Sequence, residues 1–507
     1  MQATSRQSTR RAFLTGARSE LDVGVSAAPP EILAKLGAAL PAPDATYLLQ
    51  SRTSFGVRQD QLARGRSVGT TVWIEEQLAP ASLNDGGLEA AIAAALPSLT
   101  MSLPEITAYT SPPNPRYRAA AETITATSVR QLLSPRQLYE VMVEFWTNHF
   151  NIDLGDAALA YFKPWDDREV VRKHALGNFR DLLHASARSP AMLYYLDNFT
   201  NVASGPNENY ARELMELHTL GITGGYTETD VKEVARCFTG WGLPRTSDYS
   251  LTGFVFRSQF HDNGSKRVLG VDIAAGGGEQ DGVRVLDILA AHPSTARLIA
   301  TKLVRRFVSD VPPAALVDAL AAEFTRTQGD IKSALRVLFA SAQFAASGDQ
   351  KFKRPAEFVI SALRAVRSTS SSAVLRAISA QLEAMSHQVF GWPAPNGYPD
   401  VRGYWLNTGS TLARWNAAAL IAEQGFAPGS GVSLATLIAP ARTVRAALAQ
   451  LETNVLMRPL AAADRELLLA FGADGGSPDK PLNPAVLLQR SRDLLGLLLS
   501  SAYFMTR

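Results

Sequence analysis

Apolar positions recur at spacings of three and four along most of this chain, the period of a helix with one buried face. Leu138, Val141, Met142, Phe145 and His149 make one such face, behind Ser134 and Pro135, a pair that can open a helix. A second helix follows Asn207 and stops at Gly221, a residue suited to the left-handed position past a helix end. A third opens with Thr227-Glu228-Thr229-Asp230, a capping-box pattern, and turns Val231, Val234, Ala235 and Phe238 inward. The same period predicts helices over 166–184, 293–309, 312–326, 329–344, 355–366, 372–386, 409–424, 434–452, 461–471 and 483–505.

Strict alternation is rare. Residues 253–257 and 266–271 flank the turn-rich His261-Asp262-Asn263-Gly264, which predicts one small β-hairpin around residues 253–271. Gly276-Gly277-Gly278 then reads as a loop. With no strand–helix alternation to build a parallel sheet, the expected class is mainly α, a large multi-helix single body. Residues 1–40 read as a flexible basic tail and 41–507 as the helical domain, with linker-like composition at 368–372 and 425–431. Residues 338–344 and 498–504 echo each other, which two alanine-rich helix ends sharing one stop explain without a duplication.

Composition narrows the classes. A chain of 507 residues with 46% hydrophobic positions, 36 Gly and 28 Pro is neither collagen-like nor mostly disordered, and its single cysteine, Cys237, excludes an internal disulfide. The formal charge of +3 is carried by residues 1–20, where Arg6, Arg10, Arg11 and Arg18 stand against Glu20. The rest is balanced, so no surplus remains to build a nucleic-acid-binding face. No apolar run reaches the ~18 residues of a membrane span. Ser8-Thr9-Arg10-Arg11-Ala12-Phe13-Leu14 is similar to a twin-arginine export address, yet Arg18, Glu20 and Asp22 stand where an apolar run should follow.

Four places can carry chemistry. On a helix, Asn209, Arg212, Glu213 and Glu216 fall on one polar stripe, with Glu208 one turn before Arg212. That stripe is either a carboxylate pair held by a cation, suited to acid/base work or to a divalent metal, or a solvated face with i,i+4 ion pairs. His149 sits on an apolar face, where a histidine is a satisfied core group or a poised base; Glu144 and Asn148 on the adjoining stripe can join it in lining a cavity. His261-Asp262 is a weak metal pattern, and Asp262-Asn263-Gly264 is equally good turn chemistry. Finally, Trp392, Tyr398, Tyr404, Trp405 and Trp415 crowd a Pro/Gly-rich segment that either packs on the helices or stacks on a sugar or partner chain. The zinc-helix, nucleophile-elbow, P-loop and dinucleotide signatures are absent from the sequence.

In order along the chain, Phe145-Trp146-Thr147-Asn148-His149-Phe150, residues 207–221, Tyr226-Thr227-Glu228-Thr229-Asp230-Val231, Ala235-Arg236-Cys237-Phe238-Thr239-Gly240-Trp241, His261-Asp262-Asn263-Gly264-Ser265-Lys266 and Gly391-Trp392-Pro393 resemble the motifs of a large bacterial family, domain of unknown function 1800. The resemblance runs over roughly residues 45–507 and implies a mostly helical fold. It also implies work in or beyond the periplasm, since members often bear export signals and are often encoded beside a second family with twin-arginine leaders. It brings no established activity. The resulting expectation is one polar pocket in which Glu208, Arg212, Glu213, His149, His261 and Asp262 converge. Glu213 or His149 would be the base of a hydrolase or transferase, Arg212 would hold an anion, and Glu213, His261 and Asp262 would hold a divalent metal. Asn148, Asn209, Trp241, Trp392 and Trp405 are the expected binding residues. A polysaccharide, an envelope component or the product of a neighbouring twin-arginine-leader gene is the expected partner. The alternative is a scaffold or glycan-binding module whose polar motifs are structural.

Overall fold

The helix expected after Pro135 runs over Gln137–His149, with Ser134 Oγ accepting the Arg136 amide at 3.0 Å just before it. Leu138, Val141, Met142, Phe145, Trp146 and His149 on one side are each 8% exposed or less, as the period requires. The computed structural model describes residues 40–111, 116–156, 158–244 and 253–507. The expected tail and its export-like address at residues 8–14 lie outside the described residues. Residues 42–507 form a single compact unit, mainly α-helical with two small two-stranded sheets among the described residues.

Local signals placed several boundaries. Thr227 and Asp230 form the expected capping box and open Glu228–Cys237. Gly221 takes the left-handed conformation, φ +82°, at the end of Asn209–Glu213 and its π-helical continuation Leu214–Thr219. The two echoing segments share one stop: Ser341 Oγ donates to the Leu338 carbonyl at 2.7 Å and Ser501 Oγ to the Leu498 carbonyl at 2.6 Å, and a four-residue helix follows each. Other expectations needed correction. The stretch 166–184 is not one helix: Leu159–Asp166 passes into a π-helical turn, Asp167–Arg172, and Asn178 then caps a separate helix, Phe179–Ala187. The strand segments exist but pair differently: Val255–Phe256 joins Trp241–Gly242, and Lys266–Val268 folds back on Val271–Ile273. The linker-like segments hydrogen-bond to each other, Thr369 N to Ser430 O at 2.7 Å and Thr369 Oγ1 to Gly429 O at 2.6 Å.

At the centre runs Pro355–Ala365, every residue of which is buried, the mark of a helix wrapped on all sides. It packs against Arg118–Leu133 and Thr408–Ala422. The Pro/Gly-rich aromatic segment is held to the motif helix: Asn148 Nδ2 donates to the Tyr398 carbonyl at 2.8 Å and Asn148 Oδ1 accepts the Tyr398 amide at 2.6 Å. Gly397 makes that approach feasible, because at φ +72° a Cβ there would stand 2.1 Å from the Asn148 carbonyl oxygen. No helix among the described residues is long and apolar enough to cross a membrane.

Candidate functional site

The helix Gln137–His149 has two chemically different sides. Glu140, Val143, Glu144, Thr147 and Asn148, followed by Asn151, recur at helical spacing and line a cleft whose far wall is His387, Gln388, Val389, Phe390 and Tyr398. Its cavity volume is about 50 Å3, room for a few waters at ~10–15 Å3 each. The carboxylates at its wall are held by arginines. Arg172 bridges Glu140 at 3.1 Å and Asp167 at 2.8 Å, while Arg354 reaches Glu144 at 2.6 Å. Asp167 Oδ1 is buried with no hydrogen-bond partner among the described residues. His387 Nδ1 accepts the Ala356 amide at 3.2 Å, so the neutral ring carries its proton on Nε2; burial pushes its pKa down to about 3 and keeps it neutral.

Tyr398 continues the far wall into an aromatic layer. Its ring lies 5.0 Å from Trp392 and 5.8 Å from Trp405, and Tyr404 stands 5.8 Å from Trp392. Trp405 is 2% exposed and gives its indole N–H to the Pro399 carbonyl at 2.7 Å, so it is a packing residue. Trp392 is half-buried and Tyr404 is 41% exposed. The Pro/Gly-rich segment is irregular only as far as residue 401, since Arg402–Trp405 is a short helix and Trp415 lies on Thr408–Ala422.

Of the residues named from the sequence, Glu144, Asn148 and Tyr398 line the cleft, and the others occupy separate surroundings. On the buried side of the motif helix, His149 Nε2 donates to the His218 carbonyl at 3.1 Å and Nδ1 accepts from Lys302 at 2.9 Å. Burial, then the Lys302 charge, holds this imidazole neutral well below its ordinary range. Arg212 grips Glu228 through two nitrogens at 2.9 and 2.7 Å and Glu208 at 3.1 Å, a half-exposed network rather than an open anion site. Glu213 is 7% exposed, on the same short helix as Asn209. Asn209 ties back to the Leu196 carbonyl at 3.1 Å. His261 Nδ1 donates to the Thr239 carbonyl at 2.8 Å, and Nε2 faces Asp281 at 3.1 Å. Asp262 accepts two bonds from Arg236 and the Gly264 amide at 2.8 Å, which is its turn role. Trp241 is fully buried beneath the Arg188 guanidinium. Among the described residues no group of three or more His, Cys, Asp or Glu side chains is placed to hold a metal ion.

Sequence reasoning missed Glu140, Thr147, Asn151, Asp167 and His387. The first three were within reach, since they extend the Glu144–Asn148 stripe at offsets of three and four. Asp167 and His387 carry no local signal, because each joins the wall through the fold. A family model described as "Protein of unknown function (DUF1800)" matches residues 48–506, nearly the whole chain. No curated protein and no solved structure matches it.

Proposed function

The chain belongs to the DUF1800 family, and from that premise we propose that it is a binding module for a polyhydroxylated, sugar-like polymer, read by the cleft beside Asn148 and the aromatic layer that continues from it. The observation that carries the reading is the continuity of two surfaces: a helix face of carboxylates, amides and a hydroxyl meets, at Tyr398, a partly exposed aromatic layer of Trp392 and Tyr404. An aromatic face stacks on the apolar side of a sugar ring while polar groups take its hydroxyls. The cleft is too small for a whole ring, so it takes one polar substituent, a hydroxymethyl or acetamido group, while the ring rests on Trp392. Thr147, Asp167 Oδ1 and Asn151 Oδ1 are the groups offered to that substituent, the Asn151 amide nitrogen being spent on the Trp392 and Ala394 carbonyls.

Binding is favoured over catalysis because Glu140, Glu144 and Asp167 are each ion-paired with an arginine, which commits these side chains to anchoring the wall. The polar motif residues outside the cleft serve packing in this reading. The envelope as the place of action belongs to the same proposal and is supported by the export-like address at residues 8–14 and by the family resemblance.

The test is tryptophan fluorescence of the full chain titrated with soluble tetrasaccharides of glucose and of N-acetylglucosamine. One of the two should quench it. Trp392→Ala is expected to weaken that binding tenfold or more, and Thr147→Val several-fold, with the unfolding midpoint unchanged in both. No response from the parent, or equal affinity in parent and Trp392→Ala, overturns the reading.

A further inference from the structure

The central helix Pro355–Ala365 runs through a dense set of buried cations. Arg52, Arg306, Arg354, Arg414 and Arg507 are each 2% exposed or less, and Lys353 is 6% exposed. Glu357 takes Arg306, Arg354 at 3.0 Å and Arg507 at 2.8 Å, so one carboxylate serves three guanidiniums, and Glu144 also reaches Arg354 at 2.6 Å and Arg306 at 3.4 Å. Arg414 lies over the rings of Phe352 and Phe358, and both its terminal nitrogens are buried without a hydrogen-bond partner among the described residues.

Lys353 is the sharpest case. Its ammonium donates to Ser361 Oγ at 3.0 Å and lies 3.7 Å from the Phe504 ring centroid, and no ion pair among the described residues includes it. Arg507, close by, gives Nη1 to the Ser51 carbonyl at 3.3 Å and leaves Nε buried without a hydrogen-bond partner among the described residues. Between them lies a cavity of about 10 Å3, lined by Lys353, Arg507, Glu357, Ser51, Ser54 and Tyr47. That is the room of about one water, which rejects sulfate, phosphate and carboxylates by size. The oxygens of Glu357 are already taken, Oε1 by the three arginines and Oε2 by the Arg354 amide at 2.8 Å.

A buried ammonium without an ion-pair partner of its own either sheds its proton or acquires an anion. We propose that one halide-sized monatomic anion occupies this cavity, held between the Lys353 ammonium and the Arg507 guanidinium. Burial, reinforced by the Arg507 charge, otherwise pushes the Lys353 amine down to about 7. The anion joins the segment 51–54, the central helix and the C-terminal residues 504–507 at one point. The site is separate from the cleft and does not depend on the reading given to it.

The experiment compares the full chain at pH 6 in sodium chloride and in sodium gluconate of equal ionic strength, with unfolding by urea as the readout. Chloride should raise the folding equilibrium constant, on the order of tenfold at 100 mM for a dissociation constant near 10 mM. Lys353→Met should abolish the difference between the salts. Crystals soaked in bromide should show an anomalous peak between Lys353 Nζ and Arg507, and this measurement decides the matter if the variant does not fold. Equal stability in the two salts, a bromide-free cavity holding only water, or a chloride effect that survives Lys353→Met would each overturn the proposal.

Discussion

Two buried histidines from the motif segments each stand beside a lysine, and they differ in the third partner. His261 faces Asp281 at 3.1 Å, and Lys266 reaches the same carboxylate oxygen at 2.5 Å. His149 accepts from Lys302 at 2.9 Å, and the other acceptor near that ammonium among the described residues is the Leu217 carbonyl at 3.4 Å. The first set is closed: His261, Lys266 and Asp281 have side chains 2% exposed or less, and the opposite charges lie together. In the second the lysine is half-buried with no carboxylate paired to it among the described residues, and burial, then the Arg305 charge, pushes its amine down to about 8. The same two residue types thus build a structural ion network in one place and a lysine of lowered proton affinity in the other. What decides is a single aspartate.

The comparison breaks most visibly at that aspartate. Asp281→Asn keeps the shape but leaves the Lys266 ammonium buried beside a neutral amide, and losing one partner of a buried pair costs about 3–5 kcal/mol. Urea unfolding at pH 7 should show that loss. A change under about 1 kcal/mol would mean the carboxylate is not the keystone of its set.

Lys302 gives the next largest effect, and it depends on pH. The folded state releases the lysine proton near pH 8, while the unfolded chain holds it to its ordinary value of 10.5. Between these values the unfolded state binds more protons, so stability rises with pH from about 8 to 10.5 and is constant in this respect below and above. At about 1.4 kcal/mol per tenfold change in proton affinity, discounted for partial exposure, the gain is about 2 kcal/mol. Lys302→Met should lack that rise. The stability difference between parent and variant, measured by urea at pH 7, 8, 9 and 10, should therefore move by about this amount in favour of the parent as pH increases. A difference that stays flat would show the Lys302 amine to be as basic as any exposed lysine.

How far the sequence discloses these places follows from the range of the interactions. Thr227 and Asp230 sit three residues apart, and the capping box they form needs nothing beyond them. The two sides of Gln137–His149 are also written locally, and Glu144 and Asn148 are legible there as one cavity-lining stripe without the wall they face. His149 belongs to the opposite side, because the helix has a buried surface and a cleft surface and only the fold says which is which. Asp281 finds His261 from a helix, Glu279–Ala291, that periodicity did not disclose; Gly282 interrupts it where the Trp241 indole packs, 2.6 Å from where a Cβ would lie. The π-helical turn Leu214–Thr219 is a change of hydrogen-bond partner by one residue, and it rotates the side chains that straight helical spacing would have aligned.

The smallest effect is expected at the stripe that is richest in charge. Arg212 is bound by Glu208 and Glu228, and all three side chains are 34% exposed or more, the surroundings in which an ion pair contributes only about 0.2–1 kcal/mol. Glu228→Gln should lower stability by no more than that, and the difference should fade in 0.5 M salt, where screening reaches only a few ångströms. Sugar binding should be unchanged, since none of the three lines the cleft. A loss well above 1 kcal/mol, or one that persists at high salt, would place this network with the buried sets of His261 and Asp281. Charge density along a helix is then a poor guide to where the energy lies, and the decisive quantity is whether each charge has been taken out of water.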